Sequence, residues 1–178
     1  MGYSYWRGVL DYCVVGDMKI TDEQYIELVK LNFSYDPESG IVFKKYKNNE
    51  PLGIGKSGYN STTIKRQSMY GHRIAWILFY GVIPKMEVDH INGIPTDDRI
   101  CNLRLCTHSQ NLANQKLSTK NTSGYKGASF NNRIKKWTAY ICVNGKTKYI
   151  GLFPTAIQAH EAWKAKAKEV FGEFFREA

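Results

Sequence analysis

The stretch Glu87-Val88-Asp89-His90-Ile91-Asn92-Gly93 is followed by Thr96-Asp97-Asp98, then Asn102-Leu103-Arg104-Leu105-Cys106, then Thr107-His108-Ser109-Gln110-Asn111. The first segment reads as a strand that ends in an Asn-Gly turn. Leu103–Cys106 reads as a short strand returning antiparallel, and Thr107 can start a helix that carries Gln110, Asn111, Asn114 and Gln115. The unit is therefore strand, loop, strand, helix. Asp89 and His90 are neighbours on a strand, where alternation sends successive side chains to opposite faces. They cannot share one task, so one can hold a metal while the other faces a scissile phosphate. Asn111 and Asn114 are three apart and share a helical face.

Working outward, Gly71 to Tyr80 (GHRIAWILFY) is the most hydrophobic segment and predicts a buried helix ended by Gly81 and Pro84. Upstream, Thr21 and Gln24 have the spacing of a capping box that opens a helix. Its apolar stripe is Tyr25, Leu28, Val29 and Leu31. Asp36-Pro37-Glu38-Ser39-Gly40 is a turn. Ile41–Lys47 predicts a strand with Lys on its exposed positions, and Tyr59–Lys65 a second one. Residues 1–17 show no clean periodicity and read as a poorly ordered leader or an extension ahead of the core protein. Residues 18–85 form an N-terminal α/β region, 86–116 the segment of chief interest, and 117–123 a polar linker.

These residues carry a family resemblance. DHING, DDRICNLR and THSQNLANQ, with GHRIAW upstream, resemble the HNH homing endonucleases, specifically their phage H-N-N branch. The resemblance implies a ββα-metal fold and hydrolysis of DNA phosphodiester bonds at a preferred site. That chemistry needs a group to deprotonate water, a cation to stabilise the charged phosphorane, and something to orient the base. By resemblance His90 is the general base, Asn102 orients it, and Asp89 and Asn111 hold one divalent ion. Many family members place a His where this chain has Asn111. An oxygen pair is a hard, sparse donor set that suits Mg²⁺ or Mn²⁺, one per active site, and argues against tightly held zinc. His72 is expected to be a satisfied core histidine, with contact to DNA or support of the site as the alternative, His108 a residue at a helix N-terminus, and His160 a surface residue.

The net charge of +9 is not spread evenly. Residues 1–114 carry 13 Lys/Arg against 12 Asp/Glu, whereas residues 115–178 carry 12 against 4. A basic block confined to one third of a chain points to a polyanion partner, most often nucleic acid. Within 124–178 three strands and one helix are predicted. Asn144-Gly145 is a strong type I′ hairpin signal. Alignment about it pairs Val143 with Lys146, Ile141 with Lys148, Ala139 with Ile150 and Trp137 with Leu152. That face is expected to pack on a helix through Ala156, Ala159, Trp163 and Val170, with Thr155 as its cap and Gly172 as its stop.

NTSGYKGASF, KKWTAYICVNGKTKYIGLF and TAIQAHEAWKAKAKEVFGEF together resemble the AP2 DNA-binding domain. By that resemblance Lys126, Ser129, Asn131, Arg133, Lys136, Tyr140, Thr147 and Tyr149 lie on a face that meets double-stranded DNA. The Lys-rich N-terminal segments (Lys44, Lys45, Lys47, Lys65, Arg66) are further candidates for DNA contact.

The fold class expected is α+β: a ββα-metal module, a small strand-rich region before it, and an AP2-like three-stranded sheet with one helix after it. Cys13, Cys101, Cys106 and Cys142 show neither C-x-x-C nor zinc-type spacing, so free thiols are expected. No long apolar run or export signal is present, so no membrane is expected and a cytoplasmic location follows by default. No small-molecule cofactor is expected. The alternative to an endonuclease is a non-catalytic DNA-binding regulator on the same scaffold. A regulator would be free to lose Asp89, His90 or Asn111, and all three are present. An RNA-binding protein is a third option, which Tyr140 and Tyr149 leave open.

Overall fold

The computed structural model describes residues 14–15, 18–64, 67–118 and 121–176. Most of the leader, including Cys13, lies outside the described residues, as do Lys65 and Arg66. The architecture is mixed, with helices and several small antiparallel sheets. The chain divides into two compact units, Met1–Arg104 and Leu105–Ala178.

The first unit opens with a short pair, β1 (Val14–Val15) and β2 (Met18–Lys19). Helix α1 (Asp22–Asn32) starts at the expected capping box. The Thr21 amide donates to Gln24 Oε1 at 2.9 Å and the Gln24 amide to Thr21 Oγ1 at 3.3 Å. Three strands then form one sheet: β3 (Phe33–Asp36), β4 (Ile41–Lys44) and β5 (Glu50–Pro51). A second sheet contains β6 (Gly53–Ile54), β7 (Asn60–Ile64) and β8 (Gln67–Tyr70). Helix α2 (Gly71–Tyr80) follows without a break and packs on α1, β3, β4, β7 and β8. A helix apolar on nearly every side belongs in a core, and Ile74, Ala75, Trp76 and Ile77 are all buried. Strands β9 (Glu87–His90) and β10 (Leu103–Cys106) pair as a two-stranded sheet, and the division between units falls inside β10.

Three expectations need correction here. The strand predicted over Ile41–Lys47 stops at Lys44, and Lys45–Lys47 is a 3₁₀ turn. Lys44 is buried rather than solvated, because it shares the inward-facing positions of β4 with Val42. Glu50 offsets its charge at 3.3 Å. Leu31 is 75% exposed and leaves the stripe of α1, whose buried residue is Val29. Strands β1, β2, β3, β5, β6 and β8 are additional to the sequence expectation.

The second unit begins with the end of β10 and helix α3 (His108–Asn114), capped by a reciprocal Thr107–Gln110 box. Strands β11 (Ala128–Asn131), β12 (Lys136–Val143) and β13 (Lys146–Phe153) form an antiparallel sheet, and helix α4 (Ala156–Phe171) packs on all three strands. The core is Ala113, Ala128, Ala139, Ile141, Ala159, Trp163, Ala167 and Phe171. Gly127, at φ +72, lies so close to the Trp163 ring that a Cβ there would sit 2.0 Å from its Cγ.

The hairpin register follows expectation from Val143–Lys146 to Ile141–Lys148, and then a bulge intervenes. Tyr140 pairs with Tyr149 but Ala139 pairs with Gly151, so Ile150 is the extra residue. Beyond it Thr138 faces Leu152 and Trp137 faces Phe153. The bulge explains why Phe153 packs on the core while Leu152 is 44% exposed. On α4 the burial runs through Ala159, Trp163, Ala167 and Phe171, and Val170 points outward instead. Gly172 terminates α4 as expected.

Candidate active site

Residues of unlike origin converge around His90. The stem of β9 is set by Arg73 of α2, which donates to the carbonyls of Pro84 at 3.0 Å and Met86 at 3.4 Å. Asp89 and His90 are both buried, at 5% exposure each. Their partners differ, as strand alternation requires. Asp89 Oδ2 accepts from Arg104 Nε at 3.0 Å and pairs with a second Arg104 nitrogen at 3.0 Å. His90 Nε2 instead lies 2.8 Å from Asp98 Oδ1.

Asp98 is 1% exposed and is fixed from several directions. Its Oδ2 accepts from Asn60 Nδ2 at 2.9 Å, and its carbonyl accepts from the Tyr35 hydroxyl at 2.7 Å. Two glycines allow this close packing. A Cβ on Gly71 would meet Asp98 Oδ2 at 2.4 Å, and one on Gly40 would meet the Arg99 amide at 2.4 Å. A carboxylate only accepts hydrogen bonds. The His90 proton is thereby placed on Nε2, which leaves the lone pair, and the basicity, on Nδ1.

Asn102, 7% exposed, ties together the loop that joins β9 to β10. Its Oδ1 accepts from the Asn92 amide at 3.0 Å. Its Nδ2 donates to Asn92 Oδ1 at 3.1 Å and to the Asp97 carbonyl at 2.8 Å. Its own carbonyl accepts from the Ile91 amide at 2.9 Å, directly beside His90. Asp97 faces away from its neighbour's task. Arg99 grips its carboxyl and, with Asn92, holds it down to about 2.

His72, at the start of α2, is buried against the same group. Its ring is 5.1 Å from that of His90, stacks on Tyr70 at 5.6 Å, and meets Tyr59 edge-on at 5.5 Å. Burial, helped by His90, pushes its pKa down to about 3, so it is neutral. Its Nδ1 is buried without a hydrogen-bond partner, which corrects the expectation of a satisfied core histidine. One donor atom each from His72, His90 and Asp98 lie within 4.8 Å of one another. The Asp89 carboxylate offers hard oxygens, and Arg104 already compensates its charge.

Asn111 lies on α3 in the second unit, half-buried. Also in that unit, Ser129, Arg133, Lys136, Tyr140, Thr147 and Tyr149 are exposed. Tyr140 and Tyr149 are cross-strand partners with rings 5.6 Å apart. Asn131 is half-buried and caps its own turn, its Oδ1 accepting from the Arg133 amide at 3.0 Å. Lys126 turns inward and donates to the carbonyls of Ala113 and Gln115 near the end of α3. Burial, with Arg176 nearby, lowers its pKa. His160 is not a free surface residue, since its Nδ1 lies 2.9 Å from the Lys126 carbonyl and its ring stacks on Trp163. His108 is the exposed first residue of α3, as expected.

Sequence reading passed over Asp98, Arg104 and Asn60. The one local signal was the doubled Asp97-Asp98, and nothing nearby in the chain says which of the two turns inward.

Residues 69–113 match a family model described as HNH endonuclease. That span contains His72, Asp89, His90, Asp98, Asn102, Arg104 and Asn111. An uncharacterised HNH endonuclease of Acanthamoeba polyphaga mimivirus is 37% identical over 135 residues, covering 75% of this chain and 67% of that protein. Protein 3.8 of Escherichia phage T7 is 38% identical over 76 residues, covering 42% of this chain and 63% of that protein. The chain thus spans about two thirds of the length of these relatives. No solved structure matches it. With the paired strands β9 and β10 inside the matched stretch, and a relative named as an HNH endonuclease matched over 75% of the chain, the chain belongs to the HNH endonuclease family.

Proposed function

We propose that this protein is a metal-dependent DNA endonuclease that hydrolyses phosphodiester bonds at a preferred site, with His90 as general base. The observation that carries this reading is the buried His90–Asp98 pair inside the family-matching stretch. A histidine whose Nε2 is engaged by a fixed carboxylate presents Nδ1 as the proton acceptor, the arrangement that general-base catalysis needs. His90 Nδ1 takes a proton from the attacking water. Asp98 holds the ring and stabilises the imidazolium that forms. Asn102 acts through the backbone, keeping the loop after His90 in one conformation.

Asp89 and Asn111 are the residues that would hold one Mg²⁺ or Mn²⁺, which supplies positive charge to the phosphate as its oxygens become more negative. Arg104 neutralises Asp89 until then. The second unit contributes affinity. Its exposed sheet face, with Arg133, Lys136, Tyr140, Thr147 and Tyr149, is suited to lie along double-stranded DNA, with cationic side chains on phosphates. Its excess of positive charge supports that role.

The test is cleavage of plasmid DNA by the full chain with Mg²⁺ or Mn²⁺, with EDTA, and with His90→Ala. Metal-dependent nicking or cutting that vanishes in His90→Ala is expected. No cleavage of any DNA under any divalent ion would remove the enzyme reading and leave a DNA-binding protein, which a gel-shift would then reveal.

A further inference from the structure

We propose that His72, His90 and Asp98 form a second, inhibitory metal site that takes zinc or a similar borderline cation and is separate from the Asp89 carboxylate. Three observations converge. One donor atom from each of the three lies within 4.8 Å of the others, all three residues being buried. His72 Nδ1 is enclosed without a hydrogen-bond partner in a residue only 8% exposed, an arrangement that costs free energy unless something occupies the atom. The Asp98 carboxylate is already oriented by Asn60 on its other oxygen, the kind of outer support that metal-binding carboxylates have.

The donors decide the cation. Two imidazoles and one carboxylate form a set that zinc accepts readily. Mg²⁺ prefers oxygen and water, and imidazole suits it poorly. Zinc bonds of about 2.0–2.1 Å place tetrahedral donors roughly 3.3 Å apart. The widest separation therefore closes by up to about 1.5 Å, while the His90–Asp98 pair, now 2.8 Å apart, opens by about 0.5 Å to admit the ion. Tyr59 and Tyr70 enclose the site on the His72 side.

Occupation disables the base by proton bookkeeping. A neutral imidazole has one N–H. When a cation takes Nε2 of His90, that one proton leaves Nε2 and is taken up through solvent at Nδ1, so the ring stays neutral. Nδ1 then donates and no longer accepts, so water cannot be activated. The site stands on its own geometry, whereas the inhibition rests on the nuclease reading above.

The experiment uses the full chain with Mg²⁺ present throughout. Zn²⁺ is titrated calorimetrically, and X-ray absorption of the zinc-loaded protein counts its ligands. One equivalent bound by two imidazoles and oxygen is expected. His72→Phe keeps the ring volume and removes both nitrogens. It should fold, as judged by its melting curve, and lose zinc affinity by at least the roughly 10- to 100-fold that even outer partners of a metal ligand are worth. In cleavage assays zinc should inhibit wild type, a chelator should reverse this, and His72→Phe should cut at the wild-type rate while resisting zinc. Sulfur in the zinc shell, or unchanged zinc affinity in a folded His72→Phe, overturns the proposal. If His72→Phe does not fold, the ligand count on wild type decides alone. If no DNA is cut under any condition, the nuclease reading fails, and the binding data still decide the site.

Discussion

Asp98→Asn changes one atom of a buried pair, and its effect can be worked from the hydrogen bonds. Asn60 Nδ2 has two hydrogens, and both are committed, one to the Thr96 carbonyl at 3.0 Å and one to Asp98 Oδ2 at 2.9 Å. Only an oxygen at position 98 can face Asn60. The new amide must therefore turn its NH₂ toward His90, at the 2.8 Å now spanned by the carboxylate. Two donors cannot meet there, so the imidazole moves its proton from Nε2 to Nδ1 and loses its base. General-base catalysis is worth about 10²–10⁴ in rate, and the same substitution in a Ser-His-Asp triad costs about 10⁴ through the same change of tautomer. The single-turnover cleavage rate should fall within that range, about 3–5 kcal/mol of barrier. Stability should fall much less, by about 1–2 kcal/mol, because charge-assisted bonds become neutral ones. Asp98→Ala should show the reverse balance, because it strands two buried donors at about 1–3 kcal/mol each. The assay is single-turnover cleavage of a plasmid that wild type cuts, alongside thermal melting. A wild-type rate in a folded Asp98→Asn would refute the reasoning, since it would mean that Nε2 need not carry the proton.

Other expectations follow from the same geometry. Asn102→Ala removes three side-chain hydrogen bonds in the loop after His90 and should cost about 2–3 kcal/mol with a slower cut, read by melting and cleavage together. Arg104→Ala leaves the Asp89 carboxylate buried without its guanidinium and should destabilise by about 3–5 kcal/mol. Mg²⁺ should raise the melting temperature of that variant more than that of wild type, and an equal rise would place the cation elsewhere. Gly71→Ala drives a Cβ against Asp98 Oδ2, so it should lose both stability and cleavage. Arg133→Ala and Lys136→Ala should weaken DNA binding. The slope of log affinity against log salt should become shallower by about 0.9 for every phosphate that the variant no longer neutralises. An unchanged slope would take those residues off the DNA face.

Legibility in the sequence followed range. The capping box at Thr21, the helix start at Thr107, the turn at Asn144-Gly145, α2 and the Leu103–Cys106 strand depend on residues within a few positions of one another, and all are where the sequence places them. Asp98 was hidden because its role depends on Asn60, Tyr35 and Gly71, all distant in sequence. Lys44 was misread because a lysine on an inward position is tolerated only when a partner such as Glu50 is brought to it, which no local pattern announces. The bulge at Ile150 was equally silent, since a single extra residue leaves composition unchanged and alters only which side chains face the helix. For the candidate site, His90, Asn102 and Asn111 stand out in the sequence as a spaced pattern, whereas the atom on which His90 carries its proton requires the fold.

The clamp on Asp98 has a bearing on how this motif travels. Tyr35, Gly40 and Asn60 all precede the stretch that the family model matches, yet they fix the carboxylate that sets the His90 tautomer. Residues 86–116 grafted onto another scaffold would transplant His90, the proposed base, without its alignment. The motif is therefore not portable as a cassette, and the smallest transferable piece of this enzyme must reach back at least to β3.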